Sequence, residues 1–212
     1  MHEELIDRLT ADMKPAPQSA VSRRLATAVT LGAALSLILL WTCMGMRDDM
    51  SVAVWTTSFW MKWAFALAGA LPAFVLARRL ARPDGRVGLL PILLIAPVAV
   101  LALVAVSDLL NAPPAARTAL WLGESAQACP WIIGALSLPL LVLILAAFRS
   151  CAPTRLSLAG FTAGLLAGTA AASVYALCCT ETEPAFIVTW YTLGMLLPAL
   201  VGAALGPRLL RW

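Results

Sequence analysis

Six runs of predominantly apolar residues, at 25–46, 58–77, 89–106, 129–148, 156–177 and 186–205, limit what this chain can fold into. About 20 such residues in a helix cross the hydrocarbon core of a bilayer, where every backbone polar group must be satisfied within the protein. Composition excludes the alternative of a soluble globule. Only 12% of residues are charged and 61% are hydrophobic, whereas a soluble domain carries roughly 25% charged residues. The deficit runs along the whole chain, so it does not describe a single anchor. The expected fold is an all-α polytopic membrane protein of six transmembrane helices. Residues 1–24 form a cytoplasmic N-terminal tail, 25–206 the membrane domain and 207–212 a cytoplasmic C-terminal end.

Orientation follows from lysine and arginine in short loops. With the N-terminus inside, that side collects Arg23, Arg24, Arg78, Arg79, Arg82, Arg86, Arg149, Arg155, Arg208 and Arg211, besides Arg8 and Lys14 of the tail. The other side keeps Arg47 and Arg117, with Lys62 in the first turns of the second span, and gathers Asp48, Asp49, Asp108, Glu124, Glu181 and Glu183. The expected location is therefore a bacterial inner membrane, crossed six times, with both termini cytoplasmic. A net charge of +4 distributed this way marks topology, and nothing forms a basic groove with interleaved aromatics, so no direct nucleic-acid partner is expected. Ser22-Arg23-Arg24 before an apolar run resembles a twin-arginine export signal. The run is longer than a signal core, has no small-x-small site at its far end and leads into five further spans, so it reads as a retained helix.

Lipid tails are as apolar as leucine, so close packing and interhelical hydrogen bonds must hold such a bundle together. In the fifth span Gly160, Gly164, Gly168, Ala172 and Ala176 recur every fourth residue; in the sixth, Gly194, Gly202 and Gly206 keep the same step around Pro198. These two faces are expected to meet. Lys62, between Trp60 and Trp63 near the outer interface, reads as a residue that snorkels to headgroups, with an ion pair to Asp48 or Asp49 as the alternative.

In the tail, Leu5, Ile6, Leu9 and Met13 fall within an arc of about 100°, a narrow apolar stripe, with Glu3, Glu4, Asp7 and Arg8 opposite. Pro15-Ala16-Pro17 ends that helix. A helix of about three turns is marginal alone, so its stripe must meet the membrane surface, the inner loops or another protein. Surface-lying helices are usually basic, whereas this one is acidic, which favours a protein partner.

Cys43, Cys129, Cys178 and Cys179 map to outer ends of spans and Cys151 to the inner side, with no C-x-x-C and no zinc spacing. Two readings stand. Cysteine is a common small buried residue; alternatively, outer thiols in an oxidising compartment form a disulfide or hold a thiophilic metal ion, with Cys129 and Cys179 as the pair. No cofactor is expected.

Several strings carry a family resemblance: Glu4-Leu5-Ile6-Asp7-Arg8-Leu9 with Arg23-Arg24-Leu25, then Leu136-Ser137-Leu138-Pro139, Ala152-Pro153-Thr154-Arg155 and Gly164-Leu165-Leu166-Ala167-Gly168. Tyr175-Ala176-Leu177 with Cys179 and Glu181, Trp190-Tyr191-Thr192-Leu193-Gly194 and the C-terminal 202–212 complete it. Together they resemble the bacterial six-span membrane anti-sigma factors known as negative regulators of sigma-F. The resemblance implies a regulator, not an enzyme, that holds an extracytoplasmic-function sigma factor through Glu4, Leu5, Ile6, Leu9 and Met13 of the tail. Cys129 and Cys179 match the family's cysteines and, with the adjoining Cys178, are the candidate signal-sensing residues for release. The family commonly has His-Cys-Pro-Glu after Tyr-Ala-Leu, where this chain has Cys178-Cys179-Thr180-Glu181, so a second thiol stands in place of a histidine. A membrane thiol oxidoreductase and a small transporter are the alternatives. The missing C-x-x-C weakens the first, and the absence of clear inverted repeats or midplane charges weakens the second.

Overall fold

The computed structural model describes residues 18–45, 47–82 and 85–211. The tail stripe Leu5, Ile6, Leu9 and Met13, with Glu4, lies outside them. Among the described residues the chain is helical and without strands. Eight elements follow in order: α1 (Gln18–Cys43), α2 (Met50–Ala53), α3 (Thr57–Leu80), α4 (Leu90–Asn111), α5 (Pro114–Leu122), α6 (Cys129–Arg149), α7 (Leu156–Tyr175) and α8 (Pro184–Leu209). Six of them, α1, α3, α4, α6, α7 and α8, are long and apolar enough to cross a membrane. Leucines and isoleucines such as Leu31, Ile38, Leu71, Ile95, Leu103 and Leu200 face outward, the side chains that lipid would cover.

The first helix starts at Gln18, so Arg23 and Arg24 belong to a continuous helix and not to a flexible approach. Arg24 Nη1 donates to Ser150 Oγ at 2.9 Å, tying α1 to the turn after α6. The connections alternate between two ends of the bundle. One end, termed the arginine end, gathers Arg23, Arg24, Arg78, Arg79, Arg149, Arg155 and Arg208. The other, the thiol end, holds Cys43, Cys129, Cys178 and Cys179.

α7 is the most enclosed of the spans and touches α1, α3, α6 and α8. Its glycines explain why. A Cβ on Gly160 would run into the carbonyl of Gly202, and one on Gly164 into that of Pro198. At Gly168 the added carbon would sit 2.6 Å from the Met195 carbonyl oxygen. Gly202 and Gly206 return the contact against the backbone of Gly160 and Leu156. The two backbones lie in direct van der Waals contact, which only residues without side chains permit.

The other pairs use the same device more sparingly. Gly32 of α1 receives Leu140 of α6, and nearby the buried Ser36 Oγ donates to the Leu136 carbonyl at 2.6 Å. Gly69 of α3 faces Thr169 of α7, and Gly194 of α8 faces Ile133 of α6. Buried hydroxyls on α7 return to their own helix: Thr162 to Leu158 and Thr169 to Leu165. Neither donor is left without an acceptor inside the bundle.

Gly164→Leu would drive a side chain into the backbone of Pro198 and Ala199, and neither can move aside. The expected cost is about 3 kcal/mol of bundle stability, read as a lower thermal unfolding midpoint in detergent. Gly134→Ala, whose new carbon would meet Leu197 at an ordinary 3.7 Å, should be near neutral.

Candidate functional site at the thiol end

The chain segment after α7 is held in place from both sides. α7 closes at Tyr175, and a tight turn carries Cys178 and Cys179 back onto its last carbonyls, with Cys178 N to Tyr175 O at 2.9 Å and Cys179 N to Tyr175 O at 3.0 Å. Beyond that turn, backbone carbonyls point away from any helical partner. Lys62 of α3 supplies the donors: its Nζ donates to the Cys179 carbonyl at 2.6 Å and to the Glu181 carbonyl at 2.9 Å. Arg47 Nη1 also donates to the Cys179 carbonyl, at 3.2 Å.

The snorkelling expected of Lys62 is thus wrong. Its side chain is 1% exposed and turned into the bundle, and the alternative partners Asp48 and Asp49 are not its hydrogen-bond acceptors. Burying an ammonium costs several kcal/mol. Carbonyls beyond a helix C-terminus, where the peptide dipoles leave partial negative charge, offset that cost. Asp49 instead takes both ends of Arg47, at 2.6 and 2.7 Å. The hydrogen bond from Arg47 holds the Asp49 carboxyl below its ordinary range and lifts the guanidinium in return. The pair therefore stays ionised at neutral pH and is lost only as pH falls through the lowered Asp49 value.

On the opposite side, Glu181 Oε1 accepts from Glu124 N at 2.8 Å, Ser125 N at 3.0 Å and Ser125 Oγ at 2.9 Å. Free amides ahead of a helix attract a carboxylate; here they lead into α6, whose first residue is Cys129. Gly123 is required twice over. Its φ is +55°, and a Cβ would meet the Glu181 carboxylate at 2.5 Å. In the sequence Glu181 stands among the outer acids and in the family string after Tyr175-Ala176-Leu177, with no partner assigned to it. It is the anchor that joins the 178–181 segment to the start of α6.

Between these two clamps lie the thiols. Cys129 is fully buried and Cys179 nearly so, in one apolar cluster with Tyr175, Tyr191 and Ile133. The tyrosine rings sit 5.8 Å apart at 46°. Tyr191 enters the cluster from a π-helical turn, Ile187–Tyr191, that opens α8. Such a turn carries an extra residue and rotates the helix beyond it. Its neighbour Trp190 turns the other way, donating Nε1 to the Trp121 carbonyl at 3.0 Å and stacking on the Trp121 ring. Trp121 in turn donates to Thr189 Oγ1 at 3.2 Å. This latch to α5 was not visible in the sequence, because α5 is too short and too polar to read as a span.

Cys178 is half-buried beside Cys179, and Cys43 is exposed. The structure thus brings Cys129, Cys179 and Cys178 together and leaves Cys43 and Cys151 apart. Among the described residues no group of three or more His, Cys, Asp or Glu side chains gathers as a metal cluster. Cys129 and Cys179 supply two soft sulfur donors at most, a set suited only to a thiophilic ion of low coordination number.

A family model described as "negative regulator of sigma F" matches residues 9–212. The chain belongs to that family. Two relatives cover 99% of this chain and are themselves covered to 99%: a "probable anti-sigma-F factor NrsF" from Azospira oryzae, 38% identical, and an "anti-sigma-F factor NrsF" from Caulobacter vibrioides, 37% identical. No solved structure matches the chain. The resemblance read from the motifs of the sequence is thus membership in the sigma-F regulator family, and Cys178 stands in this member within the buried thiol group.

Burial, and then the neighbouring Cys179, push the Cys178 thiol above its ordinary range. It should therefore alkylate more slowly than a free thiol at pH 7.5, with a rate still rising as pH passes 9, because only the thiolate attacks. Lys62→Met would leave the Glu181 carbonyl without its donor and the Cys179 carbonyl on Arg47 alone. Each unmet buried acceptor costs about 1–3 kcal/mol. The helices should persist while alkylation of Cys129 and Cys179 quickens by about tenfold or more; unchanged rates would show that Lys62 does not hold the segment closed.

Proposed function

We propose that this chain is an inner-membrane anti-sigma factor that holds an extracytoplasmic-function sigma factor inactive through its cytoplasmic tail and releases it on a signal received at the thiol end. Membership in the sigma-F regulator family is the observation that carries this reading, supported by two full-length relatives that bear the anti-sigma-F name. The bias of basic residues supports a cytoplasmic arginine end and a periplasmic thiol end in this reading.

The tail acts as the binding element. Leu5, Ile6, Leu9 and Met13 offer an apolar stripe, and Glu4 belongs to its acidic flank. Burying each aliphatic side chain is worth about 1.5–3 kcal/mol, so four of them offset helix ordering and leave roughly micromolar affinity. Cys129, Cys179 and Cys178 act as the sensing group, through disulfide formation or capture of a thiophilic ion. The missing C-x-x-C disfavours a thiol oxidoreductase. α7 is the connecting element. It ends at the thiol cluster, its close packing on α8 does not deform continuously, and the turn joining it to α6 lies at the arginine end, in contact with Arg24 of α1.

Replacing Leu5 and Leu9 together by Asp removes about 3–6 kcal/mol of burial and should weaken sigma binding by more than about a hundredfold. Regulon expression should become constitutive while the protein stays at its normal level in the membrane. Repression that survives would place the interface elsewhere. Cys129→Ser with Cys179→Ser should preserve folding and alter induction by oxidants or soft metals, while Cys43→Ser and Cys151→Ser do much less. A double variant that responds to every inducer as wild type does would reduce the thiols to packing residues.

A further inference from the structure

The arginine end carries a cavity of its own, at the opposite end of the bundle from the thiol cluster. A cavity of about 400 Å³ opens where the first turns of α1 meet the last turns of α3 and the connection after it. Its walls are Arg78, Arg79, Arg82 and Arg86, with Val21 and Val75 as the apolar side toward the spans. Backbone hydrogen bonds hold the described residues on either side of its rim. Arg82 N donates to Arg79 O at 3.1 Å and Gly85 N to Arg82 O at 3.2 Å, and a Cβ on Gly85 would strike the Arg79 carbonyl. Arg79 reaches over to Gly88, whose added Cβ would lie 3.2 Å from its Nη1.

Four arginines line this one cavity, Arg82 half-buried and Arg78, Arg79 and Arg86 exposed, so its wall is strongly positive. Among the described residues no carboxylate pairs with any of them. The segment 78–86 carries one acid in its sequence, Asp84. Among the described residues the neighbouring groups at this end, Arg23, Arg149 and Arg155, are also basic and add to the positive potential.

We infer that this cavity binds a phosphodiester, the headgroup of an anionic lipid. Guanidinium forks match phosphate oxygens two at a time, and basic pockets between spans on the cytoplasmic side suit anionic headgroups. The depth agrees, because Arg78 and Arg79 occupy the last turn of a span. The valines provide the apolar wall against which the first acyl carbons lie. The inference depends on the helices crossing a bilayer and not on the anti-sigma reading. A bound lipid would join α1 to α3 immediately beside the base of the tail.

The test uses the full chain in a neutral detergent, titrated with phosphatidylglycerol or cardiolipin, with phosphatidylcholine, and with inorganic phosphate, read by native mass spectrometry and by thermal midpoint. Anionic lipid should bind and stabilise where phosphatidylcholine does not. Arg79→Gln with Arg82→Gln should weaken that binding by about tenfold or more, as expected for two basic contacts. Arg149→Gln with Arg155→Gln, at the same end but outside the cavity, should change it less than about threefold. Arg82→Lys, which keeps the charge and loses the fork, guards against misfolding and should fall between. Protection by millimolar inorganic phosphate that the cavity variant abolishes would keep the phosphate site and name a soluble source. Equal losses in the two double variants would overturn the inference in favour of general surface charge, as would equal binding of phosphatidylcholine.

Discussion

The contact between the backbones of α7 and α8 is the constraint on which the rest of the molecule depends. Helices in lipid gain nothing from burying leucine against leucine instead of against acyl chains, so cohesion must come from approach that lipid cannot imitate. Gly160 and Gly164 against Gly202 and Pro198 supply it. Once that pair is fixed, α7 becomes the post against which α1, α3 and α6 pack, and its C-terminal end fixes where Cys178, Cys179 and Glu181 can lie. A bulky residue in the glycine row would displace the thiol end as well as the helix.

The thiol end adds electrostatics to this frame. A buried ammonium and a carboxylate hold one short segment, the ammonium by its backbone carbonyls and the carboxylate by reaching across to free amides. Neither Lys62 nor Glu181 pairs with the other's charge; each completes the peptide groups left over at a helix end. Such an arrangement is specific in geometry and sensitive to loss of a single partner. This is the sort of element in which a modest chemical change at a neighbouring sulfur can shift a packed equilibrium.

Much of the fold was legible in the sequence because it depends on properties that are local. Apolar run length fixes the spans, which the structure places within a few residues at most ends; α1 starts earlier because Gln18 to Arg24 extend the same helix. What could not be read depends on distant partners. Lys62 between two tryptophans has the local pattern of an interfacial residue, and only the 178–181 segment, 117 residues away for the Cys179 carbonyl, draws it inward. Glu181 belongs to a family string, but its partners Glu124 and Ser125 lie more than fifty residues away and could not be read from it. The π turn at Ile187–Tyr191 has no periodic signature, so the placing of Tyr191 against the thiols, with Trp190 turned toward α5, was invisible as well.

The central claim is that the state of the thiol end sets how firmly the tail, at the other end of the bundle, holds its partner. The most direct measurement is the dissociation constant of the cognate sigma factor for the full chain in lipid nanodiscs, compared between wild type and Lys62→Met. That change loosens the thiol end and touches no tail residue. If the two ends are coupled, affinity should weaken by about tenfold, the size of an ordinary allosteric coupling, in a variant whose Cys129 and Cys179 have become reactive. An unchanged constant in that same opened variant would contradict the claim.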